Sequence, residues 1–73
     1  MALFRITVKR NTNINGIRLE KGMTLDLPSN YSNPLTTNGG HEVVYAFHTV
    51  YGIDIKKADG LNSAILDVQK INN

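Results

Sequence analysis

Apolar and polar residues alternate from Leu3 to Lys9, with Phe4, Ile6 and Val8 on one side and Leu3, Arg5, Thr7 and Lys9 on the other. A period of two is the signature of a half-buried strand. Ile14 and Ile17 then flank Asn15-Gly16, a dipeptide that tolerates the positive φ angles of a two-residue hairpin turn. Ile17 and Leu19 alternate with Arg18 and Glu20 in a second strand, and Lys21-Gly22 supplies another turn. Met23, Leu25 and Leu27 alternate with Thr24 and Asp26 in a third strand. Pro28 is expected to end that strand, because proline has no amide to give to a ladder. Residues 1–27 are therefore predicted to form a three-stranded meander.

The pattern changes after that. Residues 28–40 are almost all turn formers, Tyr31 and Leu35 being the apolar members. They are expected to form a loop of a length that is uncommon in compact domains. Val43, Val44, Phe47, Val50 and Tyr51 follow the i, i+3, i+4, i+7 rule and predict one helix over about 40–51 with a single apolar stripe. Asn38 or Gly39 is the expected N-cap, Glu42 suits the positive end of the helix dipole, and Gly52 suits the C-cap. In residues 53–71, Asp59-Gly60 marks a turn. Ala64, Leu66 and Val68 then alternate with Ile65, Asp67 and Gln69 in a last strand. Its apolar faces partly swap, as a β-bulge or a strand lying between two apolar layers would require. The tail Asn72-Asn73 is expected to fray. The predicted fold class is α+β: a small curved antiparallel sheet, or an SH3-like barrel, of four to five strands with one helix.

Length fixes the organisation as one domain over residues 1–73. The absence of cysteine excludes disulfides, thiolate metal sites and a cysteine nucleophile. With the alternating N-terminus it predicts a cytoplasmic protein without a signal peptide. No apolar run approaches the roughly 20 residues of a membrane-spanning helix, so no membrane partner is expected. Nine asparagines read as turn chemistry, since the short amide bonds to nearby main chain.

Charge is unevenly spread. Residues 1–25 carry a net +4 and residues 26–73 a net −2. The cations Arg5, Lys9, Arg10, Arg18 and Lys21 all lie in the predicted meander, and basic β-surfaces of this kind replace counterions on phosphate. The tyrosines at 31, 45 and 51 are not interleaved with them, as base stacking would require. Lysine and arginine on strand faces also guard sheets against edge pairing.

Other chemistry is poorly supported. His41, Tyr45 and His48 share one helix face, but the histidines are seven residues and about 10 Å apart, whereas chelation by a helix pair uses i, i+4. Serines 29, 32 and 63 lack a nucleophile-elbow signature, and the six acids are scattered singly, leaving no carboxylate pair for glycosidic chemistry. Asn38-Gly39-Gly40 before a helix has neither the Lys-Ser/Thr of a phosphate-binding loop nor dinucleotide-type glycine spacing. A domain this small is expected to lack a substrate cavity of several hundred Å³. No enzyme, cofactor or metal is predicted.

Gly16-Ile17-Arg18-Leu19-Glu20-Lys21-Gly22-Met23 has the form of a hairpin found in many small β-domains. Taken with Glu42-Val43-Val44-Tyr45-Ala46-Phe47, Tyr51-Gly52-Ile53-Asp54 and Leu61-Asn62-Ser63-Ala64, it makes the chain resemble a family of small bacterial proteins of unknown function. The resemblance implies a bacterial, cytoplasmic origin and brings no site residues. The function is thus unknown from sequence. The leading expectation is a non-enzymatic interaction module that contacts nucleic acid or an acidic protein through Arg5, Lys9, Arg10, Arg18 and Lys21. The alternative is a homo-oligomeric accessory protein of a bacterial or mobile-element system, joined through a sheet edge or the Tyr45–His48 face.

Overall fold

The computed structural model describes residues 2–72. Five strands and one helix follow as β1 (Ala2–Val8), β2 (Thr12–Ile14), β3 (Ile17–Leu19), β4 (Thr24–Ser29), α1 (His41–Tyr51) and β5 (Leu66–Asn72). A three-stranded antiparallel sheet has the order β4-β1-β5, and β2 and β3 pair only with each other. This is the α+β arrangement with a small antiparallel sheet; the strands do not close into an SH3-like barrel.

The three-stranded meander over 1–27 is corrected. Both main-chain groups of Val8 are taken from the β4 side: its N–H donates to the Met23 carbonyl at 2.8 Å and its carbonyl accepts from Gly22 at 2.9 Å. Strand β4 therefore lies directly beside β1, and the hairpin between them projects as a separate ribbon. Two residues opposing one make a bulge, which Gly22 accommodates at φ 96°. The ribbon's own turn is as expected. Ile14 faces Ile17 across Asn15 (φ 54°) and Gly16 (φ 76°), two positive φ values as a type I′ turn demands.

Pro28 does not end its strand, which runs on to Ser29 with Pro28 opposite Leu3. Alternation from the Val8–Met23 bond turns the main-chain groups of Thr24, Asp26 and Pro28 away from β1. The missing amide thus falls on the open edge, where no ladder bond is lost.

On α1, Val43, Ala46 and Phe47 are buried, but Val50 is 59% exposed and Tyr51 38%, so the predicted stripe stops one turn early. The last turn reaches past the core, where the Tyr51 ring stacks on Phe47 with centroids 5.9 Å apart. Its hydroxyl accepts the Thr24 N–H at 3.0 Å and donates to the Thr24 carbonyl at 2.6 Å. One side chain thereby satisfies both outward groups at that point of the β4 edge. The N-cap is Gly40 at φ 72°, not Asn38 or Gly39, which form a 3-10 turn before it. A Cβ at Gly40 would stand 3.0 Å from the Leu35 carbonyl. Gly52 caps the other end as expected, at φ 67°.

The 28–40 segment is a packed connection. Pro34 and Leu35 are buried, and the Asn33 carboxamide accepts the Leu35 N–H at 3.1 Å. Buried Ser29 accepts the Tyr31 N–H at 3.1 Å and donates to Glu42 at 2.6 Å, tying the segment to α1. The last strand starts at Leu66, since 63–65 form a turn, and it carries the expected bulge opposite Leu3–Phe4. Asn72 is paired to Leu3, contrary to the expected fraying; Asn73 lies outside the described residues.

Ile6, Val8, Leu19, Val43, Phe47, Ile55 and Leu66 are each no more than 1% exposed and share one core. Burying a side chain of this size contributes about 1.5–3 kcal/mol. Leu19 comes from the ribbon, so sheet, helix and ribbon stabilise one another.

Candidate functional site

The five predicted contact cations do not form one surface. Arg5 points outward from β1 directly opposite Asp26, with Nε 3.0 Å from Oδ1 and Nη2 3.4 Å from Oδ2. The hydrogen bond to Asp26, then its charge, raises the guanidinium pKa above its ordinary value. The Lys9 ammonium donates to the Ser63 carbonyl at 2.6 Å. Both belong to the sheet and already have partners.

The other three belong to the ribbon. The Lys21 N–H bonds the Asn11 side chain at 2.8 Å, and Gly22 bonds Val8, which places Arg10 and Lys21 together at the ribbon's foot. Arg18 lies on β3 opposite Asn13. Its Nε is 3.5 Å from Glu20, with both side chains mostly in solvent; such exposed pairs hold weakly. At the ribbon's tip the Asn15 amide donates to the Lys57 carbonyl at 2.8 Å. This brings in Lys57, a cation the sequence reading missed because it is 42 residues away along the chain. Arg10, Lys21, Arg18 and Lys57 thus mark the ribbon from foot to tip.

A second feature lies along α1. The stripe His41, Val44, Tyr45 and His48 forms one wall of an open groove of about 520 Å³, faced by Asp54 and Lys56. The expectation that so small a domain lacks such a space is corrected: the 53–60 segment folds back against α1 and supplies the opposite wall. Sequence placed His41, Tyr45 and His48 on one face but could not place Asp54 and Lys56 across from them. Tyr45 is 71% exposed. Asp54 is partly engaged, its Oδ1 accepting the Lys57 N–H at 3.1 Å. The two histidines, two helical turns apart, cannot share a metal ion. Among the described residues no three His, Cys, Asp or Glu converge as a metal site. Glu42 faces another way, toward Ser29.

Among the described residues, no helix is long and apolar enough to cross a membrane. Residues 1–68 match the profile of DUF6140, a family of unknown function, and the chain belongs to that family. No curated protein and no solved structure matches the chain.

Proposed function

From membership of a family whose function is unknown, we propose that this domain is a non-enzymatic interaction module that holds the phosphate backbone of nucleic acid along its β2–β3 ribbon. One observation carries the reading: Arg10, Lys21 and Arg18 lie along the ribbon and Lys57 meets its tip, and among the described residues the exposed Glu20 is the one acid paired with them. Cations in a row suit a partner whose charges repeat at regular intervals. A nucleic-acid backbone does this and the surface of a folded acidic protein does not. Replacing condensed counterions on phosphate supplies the driving force. Arg5 and Lys9, bound to Asp26 and Ser63, stand outside this surface. A cytoplasmic setting is part of the proposal, in keeping with a chain that has no cysteine.

The test is a proton–nitrogen correlation NMR titration with a short mixed-sequence oligonucleotide at low and at physiological salt. Shifts are expected on residues 10–21 and around Lys57, shrinking as salt rises, with Arg5 unmoved. A spectrum that stays still at low salt overturns the reading. A mass that rises with concentration in that case would favour the homo-oligomeric accessory role.

A further inference from the structure

The ribbon's tip and the groove are neighbours. Lys57, whose carbonyl receives the Asn15 amide, directly follows Lys56, which lines the groove together with Tyr45. The row of cations therefore continues into a cleft with a different character. Inside it one lysine is set against one acid, and Asp54 already accepts the Lys57 N–H, so the cleft has little net charge to offer a phosphate. What it does offer is an aromatic ring, 71% exposed, beside the apolar flank of Val44. The Tyr45 hydroxyl has no hydrogen-bond partner among the described residues, whereas the Tyr51 hydroxyl is bound to Thr24 and the Tyr31 hydroxyl accepts from Asn38. Two of the three tyrosines thus have structural duties, and among the described residues Tyr45 has none.

We propose that the partner is a single-stranded nucleic acid, one base of which enters this groove and stacks on Tyr45 while the backbone runs past Lys56 and Lys57 onto the ribbon. The proposal rests on the ribbon reading and adds to it a preference for unpaired strands. Every base has a π-face, so stacking on an aromatic ring is sequence-tolerant, and it requires a base free of its duplex partner. The groove, at about 520 Å³, has room for one base against the ring. Phosphates remain outside, on Lys57 and Arg18. The charge pattern asks for this division, with the neutral ring in the nearly neutral cleft and the anionic backbone on the cationic row.

Fluorescence anisotropy with a labelled oligothymidylate and with the matching duplex tests this at low salt. Wild-type protein is expected to bind the single strand more tightly than the duplex. Tyr45→Ala should weaken single-strand binding roughly 5- to 100-fold, leave duplex binding unchanged, and be rescued by Tyr45→Phe, which keeps the ring. Tyr45 is exposed, so the alanine variant retains the fold, and its circular dichroism spectrum should match wild type. Equal affinity for strand and duplex, together with an unaffected Tyr45→Ala variant, overturns the stacking proposal while leaving the ribbon reading intact. No binding of either probe overturns both.

Discussion

The outer face of the three-stranded sheet and the β2–β3 ribbon read alike in sequence and differ in the fold. Both alternate, and both carry an arginine at a polar strand position, Arg5 on the sheet and Arg18 on the ribbon. On the sheet, β4 brings Asp26 opposite Arg5 and Thr24 opposite Thr7, where the two hydroxyls lie 3.2 Å apart. The 63–65 turn brings the Ser63 carbonyl to Lys9. On the ribbon each strand has only the other for a neighbour, and Arg18 faces Asn13. Period-two alternation assigns a side chain to a face; the cross-strand neighbour decides whether its charge is satisfied. Identical patterns therefore yield a closed surface in one place and an available one in the other.

The two regions nevertheless share one core, and the largest effect should come from removing what they share. Phe47 is fully buried in the cluster that contains the ribbon's Leu19. Phe47→Ala is expected to cost about 3–5 kcal/mol, a large part of the stability of a domain this size. Urea denaturation followed by circular dichroism should show it. Amide signals from sheet and ribbon should disappear in one transition; a ribbon that melts separately would break the link. Tyr45→Ala, an exposed position only two residues away in sequence, should shift the same curve by less than about 0.5 kcal/mol.

A smaller effect isolates the seam between the regions. A Cβ at Gly60 would stand 2.6 Å from Ile55 Cδ1 and 3.1 Å from Leu19 Cδ1, pressing on body and ribbon together. Gly60→Ala is expected to lose about 1–3 kcal/mol through overpacking. The same curve measures it, and amide shifts should spread to Leu19 and its neighbours. Shifts confined to residues 55–60 would mean that the ribbon is not wedged there.

Much of this was legible in the sequence because it depends on local rules. Asn15-Gly16 gave its turn, Gly52 its cap, and Phe4, Ile6 and Val8 their buried face, since each needs only neighbours in the chain. Strand partnership was not legible. Three consecutive strands separated by turn signals look like a meander, and nothing local reveals that Val8 bonds to Gly22 and Met23, leaving the hairpin outside the sheet. The same limit hid Lys57 from the ribbon and Asp54 and Lys56 from the helix face. The early end of the buried stripe at Phe47 was equally hidden, because Val50 and Tyr51 keep helical periodicity beyond the edge of the core.

The two edges of the sheet allow a finer test. On β4 the Tyr51 hydroxyl closes both outward groups of Thr24, an edge device made from a helix residue. Tyr51→Phe keeps the ring on Phe47 and removes only the two hydrogen bonds. It is expected to cost about 0.5–1.5 kcal/mol, toward the lower end because water can replace the hydroxyl at this exposed site. Hydrogen exchange should quicken at the Thr24 amide and remain unchanged at Leu25, whose amide faces β1. Equal acceleration at both would indicate that Tyr51 supports the whole strand and does more than cover one point of its edge.

The smallest effect bears most directly on function, because it leaves the fold untouched. Arg5 and Lys21 are both exposed cations of the N-terminal third, and net charge alone gives them equal weight in binding a polyanion. Their surroundings do not. Arg5 is held at two points by Asp26, so turning it to phosphate means giving up that pair and leaving the carboxylate facing the same anion. Lys21, at the ribbon's foot, has no ion pair among the described residues. In salt titrations of oligonucleotide affinity, each lost phosphate contact lowers the log–log slope by about 1. Lys21→Gln should show that reduction, and Arg5→Gln should leave the slope where it was. Equal reductions from both variants would mean that the partner reads total charge, and the distinction between a satisfied sheet and an available ribbon would have no bearing on binding.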